Sequence, residues 1–223
     1  MTIRSFVLRQ GRITAGQERA FAEHWPRYGL DVSDALRVDA AALFGDARDL
    51  NLEIGFGNGD SLVQMAAAAP EAGYIGIEVH RPGVGHAMLA AAAANLDNLR
   101  LIRHDAVAIL RDHVADGTLA RVQIYFPDPW PKARHHKRRI VQKPFTDLIW
   151  RKLRAGGEIH CATDWAEYAE WMRDVFAGDS KWQNLGGADG YAPRPDWRPQ
   201  TKFERRGERL GHGVWDLRYR KNG

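Results

Sequence analysis

Short apolar runs alternate along the chain with stretches in which apolar residues recur every three or four positions. The runs at 50–54, 74–78, 99–102, 122–126 and 158–162 are brief and rich in Leu, Ile and Val, which predicts buried strands. Between them, 61–69, 84–96, 107–114, 144–153 and 165–176 carry helical periodicity. The first of these stops at Pro70 and the fourth at the Gly156-Gly157 pair. Five strand–helix units in series predict an α/β fold with a mostly parallel sheet and helices on both faces. Residues 178–190 are polar and glycine-rich, and 212–219 alternate apolar and polar positions, which suits a C-terminal antiparallel strand. No internal repeat and no clear linker interrupts residues 41–223, so they read as one domain. Residues 1–40 read as a separate N-terminal segment, a candidate flexible arm, although Phe21, Trp25 and Tyr28 suggest that part of it docks.

Composition narrows the function classes. With 223 residues, 44% of them hydrophobic, the chain is long enough for one sizeable core. A net charge of +4 makes the molecule no polycation, so any nucleic-acid signal must come from clustering. The first residues lack the apolar stretch of a secretory signal, and the longest apolar run, 87–94, falls far short of the roughly 20 residues that span a bilayer. The single cysteine, Cys161, excludes an intramolecular disulfide and a cysteine-rich zinc site. A cytoplasmic protein without a resident metal is expected, with a monomer slightly favoured as its oligomeric state.

The first strand runs into Gly55-Phe56-Gly57-Asn58-Gly59 and then a helix. Glycines at alternate positions let the backbone turn tightly and let a ligand approach it. In a doubly wound sheet this turn lies beyond a strand's carboxyl end, where ligands bind. The spacing is G-x-G-x-G rather than the G-x-G-x-x-G of dinucleotide enzymes, and Glu53 would repel a pyrophosphate. S-adenosylmethionine, with an ammonium and a sulfonium where NAD has phosphates, fits better. Glu78 ends the second strand about 20 residues after the glycines, where an acid accepts ribose hydroxyls. Asp105 ends the third strand, placed to face an adenine amino group. A tight turn with ordinary loop acids is the bland alternative, and three acids at three successive strand ends weigh against it.

After the fourth strand come Pro127-Asp128-Pro129-Trp130. The prolines fix the backbone around Asp128, so its carboxylate loses little entropy on meeting a ligand. Trp130 can stack on a base. Lys132, Arg134, Lys137, Arg138 and Arg139 then place five permanent charges within eight residues, with His135 and His136 among them. Next to a candidate site, such a run favours phosphate binding over a merely solvated face.

Together these motifs resemble the bacterial TrmB family of tRNA (guanine-N(7)-)-methyltransferases. The resemblance rests on Leu52-Glu53-Ile54-Gly55-Phe56-Gly57, on Gly76-Ile77-Glu78-Val79-His80, and on Phe126-Pro127-Asp128-Pro129-Trp130 with its basic tail. Ala162-Thr163-Asp164-Trp165 and Thr201-Lys202-Phe203-Glu204-Arg205-Arg206-Gly207 complete it. It covers residues from about 50 onward. The resemblance implies a class I, Rossmann-like methyltransferase fold, S-adenosylmethionine as cofactor, and tRNA as partner, methylated at guanine N(7) of position 46 in the variable loop. It implies that Glu53, Gly55, Gly57, Glu78, Asp105 and Asp128 hold the cofactor and that Asp128 is catalytic. Lys132, Asp164, Thr201, Lys202, Phe203 and Glu204 would contact substrate, and Arg134, His135, His136, Lys137, Arg138 and Arg139 would contact RNA. Asp164 could instead cap the following helix, and Glu204 could pair with Arg205 or Arg206. The competing functions are a methyltransferase acting on another RNA or a small molecule, a nicotinamide-dependent dehydrogenase, and a non-catalytic RNA-binding module.

Overall fold

A computed structural model of the protein describes residues 5–6, 11–201, 204 and 213–223. Among these, the strands β1 Leu50–Ile54, β2 Gly73–Ile77, β3 Leu99–Ile102, β4 Leu119–Tyr125, β5 Leu153–Thr163, β6 Trp182–Asn184 and β7 Trp215–Lys221 form one sheet. Their spatial order is β3-β2-β1-β4-β5-β7-β6. The first five pair in parallel, whereas β7 runs antiparallel to both β5 and β6. From β1 the chain steps outward to β2 and β3, then crosses back to place β4 on β1's other side. The loops after β1 and β4 therefore diverge, and the crevice between them is where such sheets bind ligands.

Burial follows from that arrangement. β1 and β2 are buried along their whole length, as strands covered on both faces must be. On one face Leu52, Ile77, Val122, Ile124 and Ile159 join the inner sides of α6 Ala106–His113, α7 Lys143–Lys152 and α8 Ala166–Phe176. On the other, α4 Asp60–Ala68 and α5 Arg81–Ala93 bury Leu62, Val63, Val84 and Met88 against Leu99 and Leu101. Residues 15–44 carry α1 Ala15–Glu23, α2 Trp25–Tyr28 and α3 Ala40–Phe44. Thr14 and Gln17 close a capping box at the start of α1. α1 lies on α5, and fully buried Tyr28 donates its hydroxyl to the Ala91 carbonyl at 3.2 Å.

Two elements differ from the sequence pattern. Gly156 and Gly157 lie inside β5 rather than ending a helix. Leu153 already pairs with Leu119, and the register shifts between Leu119 and Arg121. Gly156 takes a left-handed φ of 69° at that irregularity. The glycine-rich stretch after α8 contributes β6, a three-residue edge strand too short for a periodicity to show. Among the described residues no helix is long and apolar enough to cross a membrane.

Candidate active site

The loop after β1 turns through left-handed φ at Gly55 (70°) and Gly57 (59°), and a Cβ at either would meet no atom within 4 Å. The loop thus presents bare backbone to its open side, as close ligand approach requires. Two cavities flank it. One, of about 210 Å³, has an apolar floor of Ile54, Ile77 and Ile124 and carries Glu78, Asp105 and Asp128. The other, of about 520 Å³, is lined by Glu53, Gly57, Ser61 and Thr201 among others. Gly55, Tyr125 and Phe126 wall both, so the two are adjoining halves of one cleft.

Each acid is held differently. Glu78 is buried at the end of β2. Its Oε1 accepts from the Val79 and His80 amides at 2.6 and 2.9 Å, and its Oε2 from the Gly57 amide at 3.0 Å. The Gly57 donor ties the carboxylate to the glycine loop, and the other two fix it at the head of α5. Asp105 caps α6, with Oδ1 accepting from the Val107 amide at 2.9 Å. Glu53 is only 2% exposed. Its Oε1 accepts from Ser61 Oγ at 3.2 Å, whereas Oε2 has no partner among the described residues. Burial pushes Glu53 up to about 8; the Glu78 carboxylate adds to the rise and the Ser61 hydrogen bond opposes it. A buried carboxyl with one idle oxygen, facing a cavity under bare glycines, suits a cationic group on a ligand.

Asp128 stands exposed on the rim after β4. Phe126 and Trp130, two residues away on either side, adopt left-handed φ of 50° and 46°, uncommon for bulky side chains. The Phe126 amide bonds the Ala162 carbonyl at 2.8 Å, which fastens the start of this turn to β5. Backbone strain around a fixed carboxylate is characteristic of functional turns. Asp164, at the end of β5, is also exposed. It does not cap α8: Trp165 is the N-cap residue, and its amide bonds Thr163 Oγ1 at 3.2 Å.

The cationic run folds as a 3₁₀ helix, Ala133–Arg138, and its members separate by environment. Lys132, Arg134 and Lys137 are exposed, while His135, His136 and Arg138 are half-buried. Burial, then the surrounding cations, lowers His135 from its ordinary range. Arg139, expected to contact RNA, is 1% exposed and does not face solvent. Its Nε donates to the Pro129 carbonyl at 2.9 Å and its Nη2 to Glu167 at 2.8 Å, with the guanidinium between the Tyr168 and Trp171 rings. It ties the proline turn to α8. Trp130 is likewise engaged internally: the Arg138 guanidinium covers its ring at 4.0 Å and its indole N–H bonds the Ser5 carbonyl at 3.2 Å. The aromatic that does face solvent on this rim is Trp165, 42% exposed.

Arg205 and Arg206, the pairing partners expected for Glu204, lie outside the described residues. Glu204 is 2% exposed and lies in a bidentate pair with Arg198. Lys202 and Phe203 also lie outside the described residues. Sequence reasoning missed Ser61 and Tyr125, which line the cleft from α4 and β4, and His160, Arg198 and Asp216, buried on β5, on the segment before residue 201 and on β7. Thr201-x-x-Glu204 was the available signal, because that spacing is a capping-box pattern.

Comparison with known proteins agrees with this geometry. A family model described as "Putative methyltransferase" matches residues 47–217. A tRNA (guanine-N(7)-)-methyltransferase of Halorhodospira halophila is 55% identical over 217 residues, which cover 97% of this chain and 94% of the relative. One from Shewanella oneidensis is 57% identical over 219 residues, 98% of this chain and 92% of the relative. Among solved structures, the 16S rRNA methyltransferase KamB superposes with a TM-score of 0.60 at 14% identity, covering 87% of this chain and 96% of that one. An S-adenosylmethionine-dependent O-methyltransferase from Thermotoga maritima does so at 0.52 and 14%, covering 82% and 63%. At such identities these two likenesses concern the fold alone.

Proposed function

The chain belongs to the TrmB-type methyltransferase family, whose model spans residues 47–217, and from that premise we propose that it transfers a methyl group from S-adenosylmethionine to N(7) of a tRNA guanine. The acceptor we assign is position 46 of the variable loop. The observation that carries this reading is the unpartnered Glu53 carboxyl oxygen, buried at one end of a cleft whose other half is apolar-floored and acid-rimmed. A nucleoside joined to a cationic tail matches both halves.

The residues divide the work. Glu53 holds the cationic tail, Gly55 and Gly57 leave room for it, and Glu78 and Asp105 hold the nucleoside. When bound, S-adenosylmethionine supplies an electrophilic methyl group on a sulfonium. Guanine N(7) already carries a free lone pair at neutral pH, so no base need deprotonate it. Asp128 accordingly serves as a fixed negative charge that stabilises the positive charge growing on the purine, an effect strongest in the transition state. Asp164, on the same rim, assists in holding the guanine by its donor groups. Lys132, Arg134 and Lys137 engage phosphates, which orient the RNA without selecting the base. Selection falls to the pocket and to RNA shape, with the base exposed from the fold before reaction.

The test is incubation with methyl-labelled S-adenosylmethionine and unmodified tRNA, followed by mapping of the modified nucleotide. Label on N(7) of the variable-loop guanosine supports the assignment. Label on a pyrimidine, or none on RNA, overturns it.

A further inference from the structure

Family resemblance treats residues 201–204 as one substrate-contacting stretch, yet its two described members face different ways. Among the described residues, the Glu204 carboxylate bonds inward. Oε2 accepts from Arg198 Nη1 at 2.8 Å and from the Thr201 amide at 2.7 Å, and Oε1 accepts from Arg198 Nη2 at 2.5 Å. In return the Glu204 amide donates to Thr201 Oγ1 at 3.2 Å. Those reciprocal bonds make a capping box, in which the side chains fix each other's backbone. Among the described residues the Thr201 hydroxyl proton has no acceptor, so it can donate to a ligand. Thr201 lines the wider half of the cleft together with Glu53 and Gly57.

Behind Glu204 the bonds continue. Arg198, fully buried, also donates to Asp216 Oδ2 at 2.9 Å. Asp216 Oδ1 lies 2.6 Å from His160 Nε2, and His160 Nδ1 lies 3.1 Å from the Tyr125 hydroxyl. Tyr125 ends β4 and walls both halves of the cleft. The network thus leaves the cleft at Tyr125, crosses β5 and β7, and returns to it at Thr201. Removing one member of such a buried ionic set leaves charges uncompensated, so its parts act as a unit.

We propose that Arg198 and Glu204 are positioning residues that fix Thr201 at the edge of the donor cleft, and that Thr201 rather than Glu204 touches the target nucleotide. The proposal rests on the guanine-transfer reading above. It replaces a carboxylate contact with a hydroxyl contact and gives the charged partners a structural task with a catalytic consequence.

Transfer kinetics on two tRNAs test it, one with guanosine and one with inosine at the target position; inosine lacks the exocyclic amine. The proteins are wild type, Glu204→Gln, Arg198→Lys and the double variant. Each single variant is expected to lose about 10- to 100-fold in kcat/KM, the scale of a misplaced contact. The double variant should lose little beyond the worse single, because both break one unit. The guanosine-to-inosine ratio should stay at the wild-type value throughout. A ratio that collapses in Glu204→Gln but not in Arg198→Lys would overturn the proposal, since Glu204 would then be holding the base amine. Losses that multiply in the double variant would also overturn it. Should Arg198→Lys fail to fold, Glu204→Gln carries the test alone, because it keeps the side chain's shape while breaking the bidentate ion pair with Arg198. Wild-type transfer that neither variant alters overturns the positioning role only. No transfer by wild type overturns the guanine reading and the proposal with it.

Discussion

Among the described residues, one oxygen of the buried Glu53 carboxyl has no partner. Its folded-state value of about 8 lies above the ordinary 4.5, so the folded, unliganded protein holds a proton that the unfolded chain releases. Stability from this group is complete below about pH 4.5 and is lost as pH rises through 8, at up to about 1.4 kcal/mol per pH unit. Glu53→Gln cannot ionise. Melting measured from pH 5 to 9 should therefore show the variant gaining on wild type as pH rises, and a difference that does not change with pH contradicts the assignment. The same proton reports on binding. At pH 6.5 the donor's own amine, near the ordinary α-amino value of about 7.7–8.0, is already charged, so its arrival should drive a proton off Glu53. Calorimetry in buffers of different ionisation enthalpy should detect that release in wild type and not in Glu53→Gln. Asp128→Asn probes a second carboxylate of the proposed site. Turnover should fall by about 10²–10³-fold, the scale of losing one transition-state electrostatic contact, with the shape of the pH profile kept. Near-normal turnover would remove the charge role.

The 3₁₀ segment Ala133–Arg138 and the arginine that follows it show what one element can do with a run of like charges. Read as letters, the five cations are equivalent. The fold makes them unequal, because the turn that lifts Lys132, Arg134 and Lys137 to solvent drives Arg139 between Tyr168 and Trp171. Charge clustering was legible in the sequence, but the direction of each side chain was not, since a short 3₁₀ helix has no apolar periodicity to read. Glu204 was opaque for a similar reason: its partner Arg198 lies on a loop, and the next members of the network, Asp216 and His160, come from strands whose register no local pattern reveals. Salt titration of tRNA binding separates the two kinds of cation. Arg134→Ala or Lys137→Ala should flatten the slope of log K against log salt by about 0.7–0.9 each, one phosphate contact apiece. Arg139→Met should weaken binding with the slope unchanged, and should lower stability by about 1–3 kcal/mol in urea, the worth of charge-assisted bonds. A flatter slope in Arg139→Met would return that residue to the RNA surface.

Across the whole molecule the strand–helix alternation was legible because burial on both faces writes it directly into composition, and the acids at three strand ends followed from it. The antiparallel β7 was legible as well, whereas the β6 edge and the order of strands were not, because pairing is a long-range choice. That order decides where binding is felt. The cleft lies at the crossover between β1 and β4, so a donor bound there would touch the tips of strands from both halves of the sheet. At about 100 times its Kd it should stabilise the fold by about 2.7 kcal/mol through mass action alone. Amide hydrogen exchange resolves where. Glu78 already accepts from the Gly57, Val79 and His80 amides, and a ligand that locks this carboxylate should slow exchange at all three. Protection should extend to Val107, which bonds Asp105, and to Phe126 at the turn before Asp128. The β6–β7 edge, on the far side of β5, should change little by comparison. Protection confined to that edge, with the β1 and β4 tips unmoved, would place donor binding elsewhere and detach the acidic strand ends from the chemistry argued for them.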